Sequence, residues 1–256
     1  MTDISFQLYS ARSAPDLAAT LKMLAATGYT QVEGYGALYA DATKVEAVQA
    51  ALAQTGLKMP SGHFSLDMLE NSPDRVCEIA GKLDISRVFC PHIGPGDRPA
   101  DAAGWRDFGA RLEKASAPIR DAGLAFGWHN HDFEFAALDD GSTPMEHILA
   151  GGPDLEWEAD IAWIIRGGGD PLAWIDGHGA RITAVHVKDI APQGECADED
   201  GWADVGHGTV DWAALVAALA RCDVKLWVAE HDKPSDPERF ARRSYDAISK
   251  LLGGRA

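Results

Sequence analysis

Short apolar runs alternate along this chain with longer stretches in which apolar residues recur every three or four positions. The runs are typical of buried strands, and the stretches are typical of amphipathic helices. Strands are predicted at 4–9, 31–34, 57–64, 87–92, from 124 into a polar cluster at 127–135, and at 155–161, 182–188 and 226–231. Helices are predicted at 16–27, 42–54, 74–83, 103–122, 144–150, 171–177, 212–221 and 237–252.

Roughly eight strands thus alternate with helices, and such alternation implies a parallel sheet. A length of 256 residues is typical of a closed (β/α)8 TIM barrel, so the expected fold is a single α/β barrel. No stretch resembles a linker, and residues 1–256 are therefore expected to form one domain. A glycine-rich GxGxxG turn after the first strand and a phosphate-binding GxxxxGK[ST] loop are both missing, so a nucleotide-binding fold has no support.

Closure of the barrel would bring the carboxyl ends of all strands to one face, where active sites of this fold lie. Almost every predicted strand ends in an ionisable side chain, which packing alone does not require. The face is expected to collect Glu33, His63, His92, the cluster at 129–134, Asp160, His186, Lys188, Glu230 and His231.

The cluster at 127–135 reads Gly-Trp-His-Asn-His-Asp-Phe-Glu-Phe and is the densest group of ligand-type side chains. Imidazoles and carboxylates together can hold a divalent metal or transfer protons near neutral pH. The alternative is a polar strand end whose histidines bond to backbone. His-x-His followed by an acid favours the functional interpretation.

Three other strand ends offer matching ligands. Glu156, Glu158 and Asp160 are expected on one side of the sixth strand, where they would repel unless a cation lies among them. His186 and Glu230 end apolar strands, where unpaired burial would be costly. Two carboxylates, a histidine and a further ligand from the cluster suit manganese, magnesium, cobalt or zinc. Each of these residues has a structural alternative, either a turn cap, a hydrogen-bonded core histidine or a solvated strand end.

The composition argues against several other classes of protein. Thirty-nine acidic against 23 basic residues give a net charge of −16, which disfavours nucleic acid as a partner. The four cysteines lack zinc-finger spacing and are interpreted as reduced, which fits a cytoplasmic protein. No apolar run approaches the ~18 residues of a membrane span, and the N-terminus has no secretion signal, so no membrane role is expected.

The sequence resembles the xylose-isomerase-like barrel superfamily, specifically the sugar phosphate isomerase/epimerase proteins of the AP endonuclease family 2 type. The resemblance rests on residues 128–135, which look like the family's YHNHDFEF block, together with the segments at 158–163, 185–189, 206–212 and 228–230. It implies one divalent metal, held by a residue on the fifth strand together with Asp160, His186 and Glu230. The fifth-strand ligand is either His129 or Glu134. Glu134 is preferred because a carboxylate suits manganese, the favoured ion.

The implied activity is isomerisation or epimerisation of a small sugar or keto-sugar through an enediolate. Glu134 and Glu230 would flank the reacting carbons, with His129 close by and His131 or His63 as the alternative base. Lys188 would stabilise oxyanion charge or else pair with Asp189. Glu33, His63 and His92 are placed on the substrate side, and His207 in the loop at 206–212 is a further substrate contact.

Three alternatives to this activity stay open. A metal-dependent lyase acting on keto-inositols or 3-keto-glycosides would use the same proton abstraction. A phosphodiesterase and a non-catalytic ligand-binding barrel are less favoured. A homo-oligomer is compatible with the fold and would give Trp105, Trp202 and Trp212 an interface role, with core packing as the alternative.

Overall fold

Eight parallel strands close into a barrel in the computed structural model, which describes residues 2–253. In chain order the barrel strands are β1 (Ser5–Gln7), β2 (Gln31–Gly34), β3 (Lys58–His63), β4 (Arg87–Cys90), β5 (Ala125–His129), β6 (Glu156–Asp160), β7 (Ile182–Val187) and β10 (Leu226–Ala229). Strand β1 pairs with both β2 and β10, which completes the closure. The predicted (β/α)8 fold is confirmed.

Helices cover the outside of the barrel and connect its strands. They are α1 (Leu17–Thr27), α2 (Ala42–Thr55), α3 (Leu66–Asn71), α4 (Pro73–Leu83), α5 (Ala102–Asp121), α6 (Pro144–Gly151), α7 (Ile161–Arg166), α8 (Pro171–His178), α9 (Trp212–Leu219) and α10 (Pro237–Gly253). Aspartates start several of them, since Asp16, Asp41 and Asp101 accept hydrogen bonds from first-turn amides. Gly56 ends α2 at a φ of 74°, a conformation that glycine adopts without strain.

The strands end earlier than the sequence pattern predicts. The first stops at Gln7 and continues as a 3-10 turn over Leu8–Ala11, and β10 stops at Ala229, just before Glu230. Two short helices, α3 and α7, were not predicted, because six residues give too little periodicity to recognise. A two-stranded antiparallel hairpin of β8 (Asp189–Ile190) and β9 (Trp202–Ala203) was also missed.

The interior of the barrel differs from its outer wall. Trp128, Trp157 and Trp227 point outward and are buried under the helices. Inside, Phe89, Ala184, Leu226 and Val228 form a small apolar cluster of their own. Ala184 and Leu226 precede His186 and Glu230 on parallel strands, so this cluster lies toward the amino-terminal end of the barrel. The carboxyl-terminal half of the interior is left to polar side chains.

Trp105, Trp202 and Trp212 are 2%, 1% and 3% exposed in the single chain. The suggested interface role for these side chains is therefore wrong, because they are already covered by their own chain. Among the described residues, no helix combines the length and hydropathy needed to cross a membrane.

Candidate active site

Ionisable side chains from five barrel strands or their carboxyl ends meet in the carboxyl-terminal half of the interior. They form two overlapping groups, within each of which the potential ligand atoms lie within 4.8 Å of one another. The outer group, which includes the residues closest to the mouth, consists of His129, Asp160, His186 and Glu230. The inner group, one step deeper on β6, consists of His63, His129, Glu158 and His186. Both groups are buried, and the predicted convergence of these strand ends is observed.

His186 connects the two groups through its two ring nitrogens. Its Nδ1 lies 2.7 Å from Oε2 of Glu230, and its Nε2 lies 2.7 Å from Oε1 of Glu33. Burial alone would lower the pKa of His186, but Glu158, Glu230 and Glu33 raise it well above its usual value. Without a bound metal ion, this imidazole therefore carries a proton on each nitrogen.

Lys188 is fully buried and serves as the counterion of the outer carboxylates. Its ammonium lies 3.0 Å from Asp160, 3.0 Å from Glu230 and 2.8 Å from Asp232. Burial nevertheless raises the pKa of Asp160 to about 6, against the opposing effect of Lys188. The suggested Lys188–Asp189 pair is wrong. Asp189 instead accepts hydrogen bonds from backbone amides of the 206–210 loop and so holds that loop.

The donor atoms fit a divalent metal ion. Two imidazoles and two carboxylates in the outer group are a donor set used by zinc, cobalt, iron and manganese. The charges agree: five carboxylates, of Glu33, Glu158, Asp160, Glu230 and Asp232, face the cations of Lys188 and His63. A neutral His186 would leave three negative charges uncompensated, and a divalent ion offsets two of them.

Asn130, the middle residue of the His-Asn-His segment, joins β5 to β6. Its side-chain oxygen accepts hydrogen bonds from Trp157 Nε1 at 2.8 Å and from the amide of Asp160 at 3.0 Å. Its amide nitrogen donates to the carbonyl of Asp160 at 3.1 Å. Asn130 thereby fixes the position of Asp160 relative to His129.

Glu134 lies apart from both groups, contrary to the expectation that it reaches the metal. One carboxylate oxygen accepts from Trp128 Nε1 at 3.0 Å and the other from the amide of His131 at 2.9 Å. Trp128 belongs to the outer wall, so Glu134 lies behind β5 rather than inside the barrel. Burial raises the pKa of Glu134 to about 8. The geometry favours the other fifth-strand candidate, His129.

A cavity of about 420 Å³ opens above the outer group. Among its lining residues are the predicted His63, His92, His129, His131 and Glu230, together with Tyr9, Tyr35 and Asp232, which the sequence did not single out. Burial and the charge of Lys188 lower the pKa of His131 to about 3, so this imidazole is neutral. Its Nδ1 is buried and has no hydrogen-bond partner within residues 2–253.

Two expected site residues take other places. His207 is exposed and does not line the cavity, and Glu33 lies beneath it with no exposure. Glu156 is half-buried at the start of β6, where it contacts Arg87 at 3.3 Å and accepts a hydrogen bond from the Thr183 hydroxyl at 2.7 Å. The expectation that Glu156 shares the site with Glu158 and Asp160 is therefore wrong.

Glu158 and Asp232 were missed as site residues. The signal for Glu158 was its spacing of two from Asp160 on one strand. Tyr9 and Tyr35 gave no signal, because irregular backbone after β1 and β2 carries them to the mouth.

The fold and site define a TIM barrel with a buried cluster of metal-ligand residues at the carboxyl ends of its strands. Residues 21–251 match the family described as xylose isomerase-like TIM barrel, and the chain belongs to this family.

Solved structures share the fold. A sugar phosphate isomerase/epimerase from Parabacteroides distasonis has a TM-score of 0.80 at 18% identity, covering 98% of this chain and 93% of that one. The IolI protein with a bound zinc atom has a TM-score of 0.76 at 12% identity, covering 100% and 99%. The 3-keto-D-glucoside 4-epimerase YcjR from E. coli has a TM-score of 0.70 at 15% identity, covering 99% and 100%.

A curated relative is the rhizopine catabolism protein MocC of Rhizobium meliloti, 22% identical over 163 residues. The matched segment covers 57% of this chain and 50% of the length of MocC.

Proposed function

We propose that this protein is a divalent-metal-dependent isomerase or epimerase of a small sugar or keto-sugar. The observation that carries the proposal is the outer group, four buried nitrogen and oxygen ligands at the base of an open cavity. The naming of solved neighbours as sugar isomerases and epimerases supports the same reaction class.

The metal would be held by His129, Asp160, His186 and Glu230. With two imidazoles in the set, zinc or cobalt is favoured over magnesium and over the manganese expected for a Glu134 ligand. The zinc atom of the IolI structure supports this order. The bound ion would supply Lewis-acid polarisation of a substrate carbonyl and its adjacent hydroxyl.

Proton transfer is assigned to groups that line the cavity. Glu230 is an anion, because Lys188 and His186 overcome the effect of burial and lower its pKa. His131 is neutral and has a ring nitrogen free to accept a proton. His63 is a weaker candidate base, because Glu33 and Glu158 overcome burial and raise its pKa to about 10. Glu230 and His131 would therefore remove and return the proton next to the carbonyl.

The opposite wall of the cavity suits the apolar face of a sugar ring. Tyr9 is 37% exposed and meets Tyr35 edge to face, with ring centroids 5.5 Å apart. The guanidinium of Arg12 lies over one face of the Tyr9 ring, 3.9 Å from its centre, and restrains the ring. Among the residues that the structure describes, the cavity lining includes Asp232 and Glu230 but no Lys or Arg, which favours an uncharged substrate over a sugar phosphate.

A metal-dependent lyase is the second candidate, because one wall carries two imidazoles. His92 and His131 meet edge to face with centroids 5.4 Å apart. Burial lowers the pKa of both rings, so neither is protonated beforehand, and the imidazole that accepts the proton could then deliver it to a leaving group on the neighbouring carbon. Similarity to a probable 3-DHS dehydratase from Bacillus anthracis, at a TM-score of 0.72 and 14% identity over 100% of both chains, is compatible with this chemistry.

Metal content measured by plasma mass spectrometry tests the site. The wild type is expected to hold about one zinc, cobalt or manganese ion per chain after reconstitution. His129→Ala should lose this ion, whereas the matched variant Glu134→Gln should keep it, because Glu134 faces away from the outer group. Retention by His129→Ala and loss by Glu134→Gln would reverse the assignment.

The reaction itself is tested with a panel of keto-sugars and 3-keto-glycosides, followed by mass analysis of the products. An isomerase or epimerase leaves the molecular formula unchanged, whereas a lyase removes water or an aglycone. Glu230→Gln should abolish turnover. A wild type that binds no divalent ion would contradict the proposed function.

A further inference from the structure

We propose that Glu33 and Glu158, with His63 between them, are positioning residues that orient the two imidazoles of the outer group for a divalent ion. This inference rests on the proposed function. Histidine ligands of metals usually donate their second ring N–H to a carboxylate, which fixes the tautomer and the ring orientation. Glu33 and Glu158 place carboxylates where such acceptors are needed.

Of the two imidazoles, that of His186 has the clearer contact with a supporting carboxylate. Nε2 lies 2.7 Å from Glu33 Oε1, and Nδ1 faces Glu230 in the outer group. A proton held on Nε2 by Glu33 leaves the Nδ1 lone pair for the ion. The contact at His129 is weaker, because its Nδ1 lies 3.1 Å from Glu158 Oε2 but makes no hydrogen bond to it. Glu33 is therefore expected to have the larger effect.

Hydrogen bonds from neighbouring side chains hold the carboxylate of Glu33 in place. Oε1 also accepts from Gln7 Nε2 at 2.8 Å, and Oε2 accepts from the Ser61 hydroxyl at 2.5 Å. With both oxygens committed to donors, this carboxylate is not available as a ligand. Glu33 is accordingly interpreted as a support for His186 rather than as a metal ligand.

His63 contacts both of the supporting carboxylates. Its Nε2 lies 2.6 Å from Glu158 and 3.2 Å from Glu33, so one imidazolium neutralises part of the charge of both carboxylates. Its ring stacks on that of His186, with centroids 5.6 Å apart and planes 10° apart. This stacking restrains the ring plane of His186.

The test measures metal affinity directly, by calorimetric titration of zinc or cobalt into the metal-depleted protein. Glu33→Gln is expected to weaken binding about 10- to 100-fold, and Glu158→Gln less. Both should shift the visible absorption of the cobalt-loaded protein, since the ring orientation changes. The matched control is Glu199→Gln, another buried carboxylate that instead pairs with Arg239 outside the barrel, and it should retain wild-type affinity.

The outcomes separate this inference from the proposed function. A wild type without metal affinity refutes the proposed function itself. If the wild type binds one ion and Glu33→Gln binds it equally well, only the positioning role is refuted. Two ions in the wild type, one of them lost in Glu33→Gln or Glu158→Gln, would make the inner group a second metal site and overturn the inference.

Folding of each variant is checked by circular dichroism. If Glu33→Gln does not fold, Ser61→Ala decides, because it removes one donor to Glu33 and leaves the carboxylate in place. About fivefold weaker binding is expected from the loss of one hydrogen bond. Unchanged affinity and an unchanged cobalt spectrum in Ser61→Ala would then refute the positioning role.

Discussion

Replacing Lys188 by methionine should destabilise the protein more than its single charge suggests. The ammonium is fully buried and contacts Asp160, Glu230 and Asp232 at 3.0 Å or less. Methionine has a similar length but no charge, so the variant leaves these carboxylates without their shared cation. Their mutual repulsion then acts in an interior that screens charge poorly.

The cost follows from the cost of breaking a buried ion pair, which is about 3–5 kcal/mol. For a chain of this size each kcal/mol lowers the Tm by about 2–4 °C, so Lys188→Met should lower the Tm by roughly 6–20 °C. The deficit should shrink at acidic pH, because protonation of Asp160, whose pKa is about 6, removes part of the repulsion.

A divalent ion should reverse part of this loss. An ion present at a hundredfold excess over its Kd stabilises the folded state by about 2.7 kcal/mol. The ion restores positive charge among the same carboxylates, so the rise in Tm on adding zinc or cobalt should be larger in the variant than in the wild type.

Differential scanning calorimetry with chelator and with zinc measures both effects. Lys82→Met is the matched control, because Lys82 forms an exposed pair with Glu78 on α4, and its Tm should stay unchanged. A Lys188→Met protein that melts within about 2 °C of the wild type, where breaking a buried pair predicts a larger drop, would refute the assignment of Lys188 as the counterion.

Two further predictions concern His63 and Tyr9. The pKa of His63 is raised to about 10 in the folded protein, so its stabilising effect is complete below pH 6.5 and is lost as pH rises toward 10. Urea titrations of metal-depleted protein at pH 6, 8 and 10 should show this decline, and His63→Gln should flatten it; an equally steep decline in the variant would argue against the imidazolium. Tyr9→Ala should raise KM about two- to tenfold with little change in kcat, from the loss of one aromatic contact to the substrate ring. Unchanged KM, measured against Lys82→Met, would place the substrate elsewhere.

The fold could be predicted from the sequence because it follows from the order of strands and helices along the chain. Eight apolar runs separated by helical periodicity define parallel strands, and closure then forces their carboxyl ends together. Asp160, His186 and Glu230 could be assigned to one site because each lies within the last three residues of a predicted strand. The predicted ends of the strands were less accurate, since the last predicted residues leave the sheet and surround the opening of the cavity.

The sequence pattern could not decide whether His129 or Glu134 is the ligand at the end of the fifth strand. The two side chains are five positions apart in one polar segment, and composition favours neither as a ligand. The 3-10 turn at Phe133–Phe135 carries Glu134 behind β5, where Trp128 and a backbone amide occupy its oxygens.

The sequence by itself determined the barrel, the face that carries the site and three of the outer-group residues. The tertiary structure decided which fifth-strand residue joins them, that Lys188 pairs across strands, and that Glu33 and Glu158 lie beneath the histidines. The physical reason is that strand periodicity specifies only the side of the sheet a residue faces, whereas its partners depend on the register and curvature of neighbouring strands.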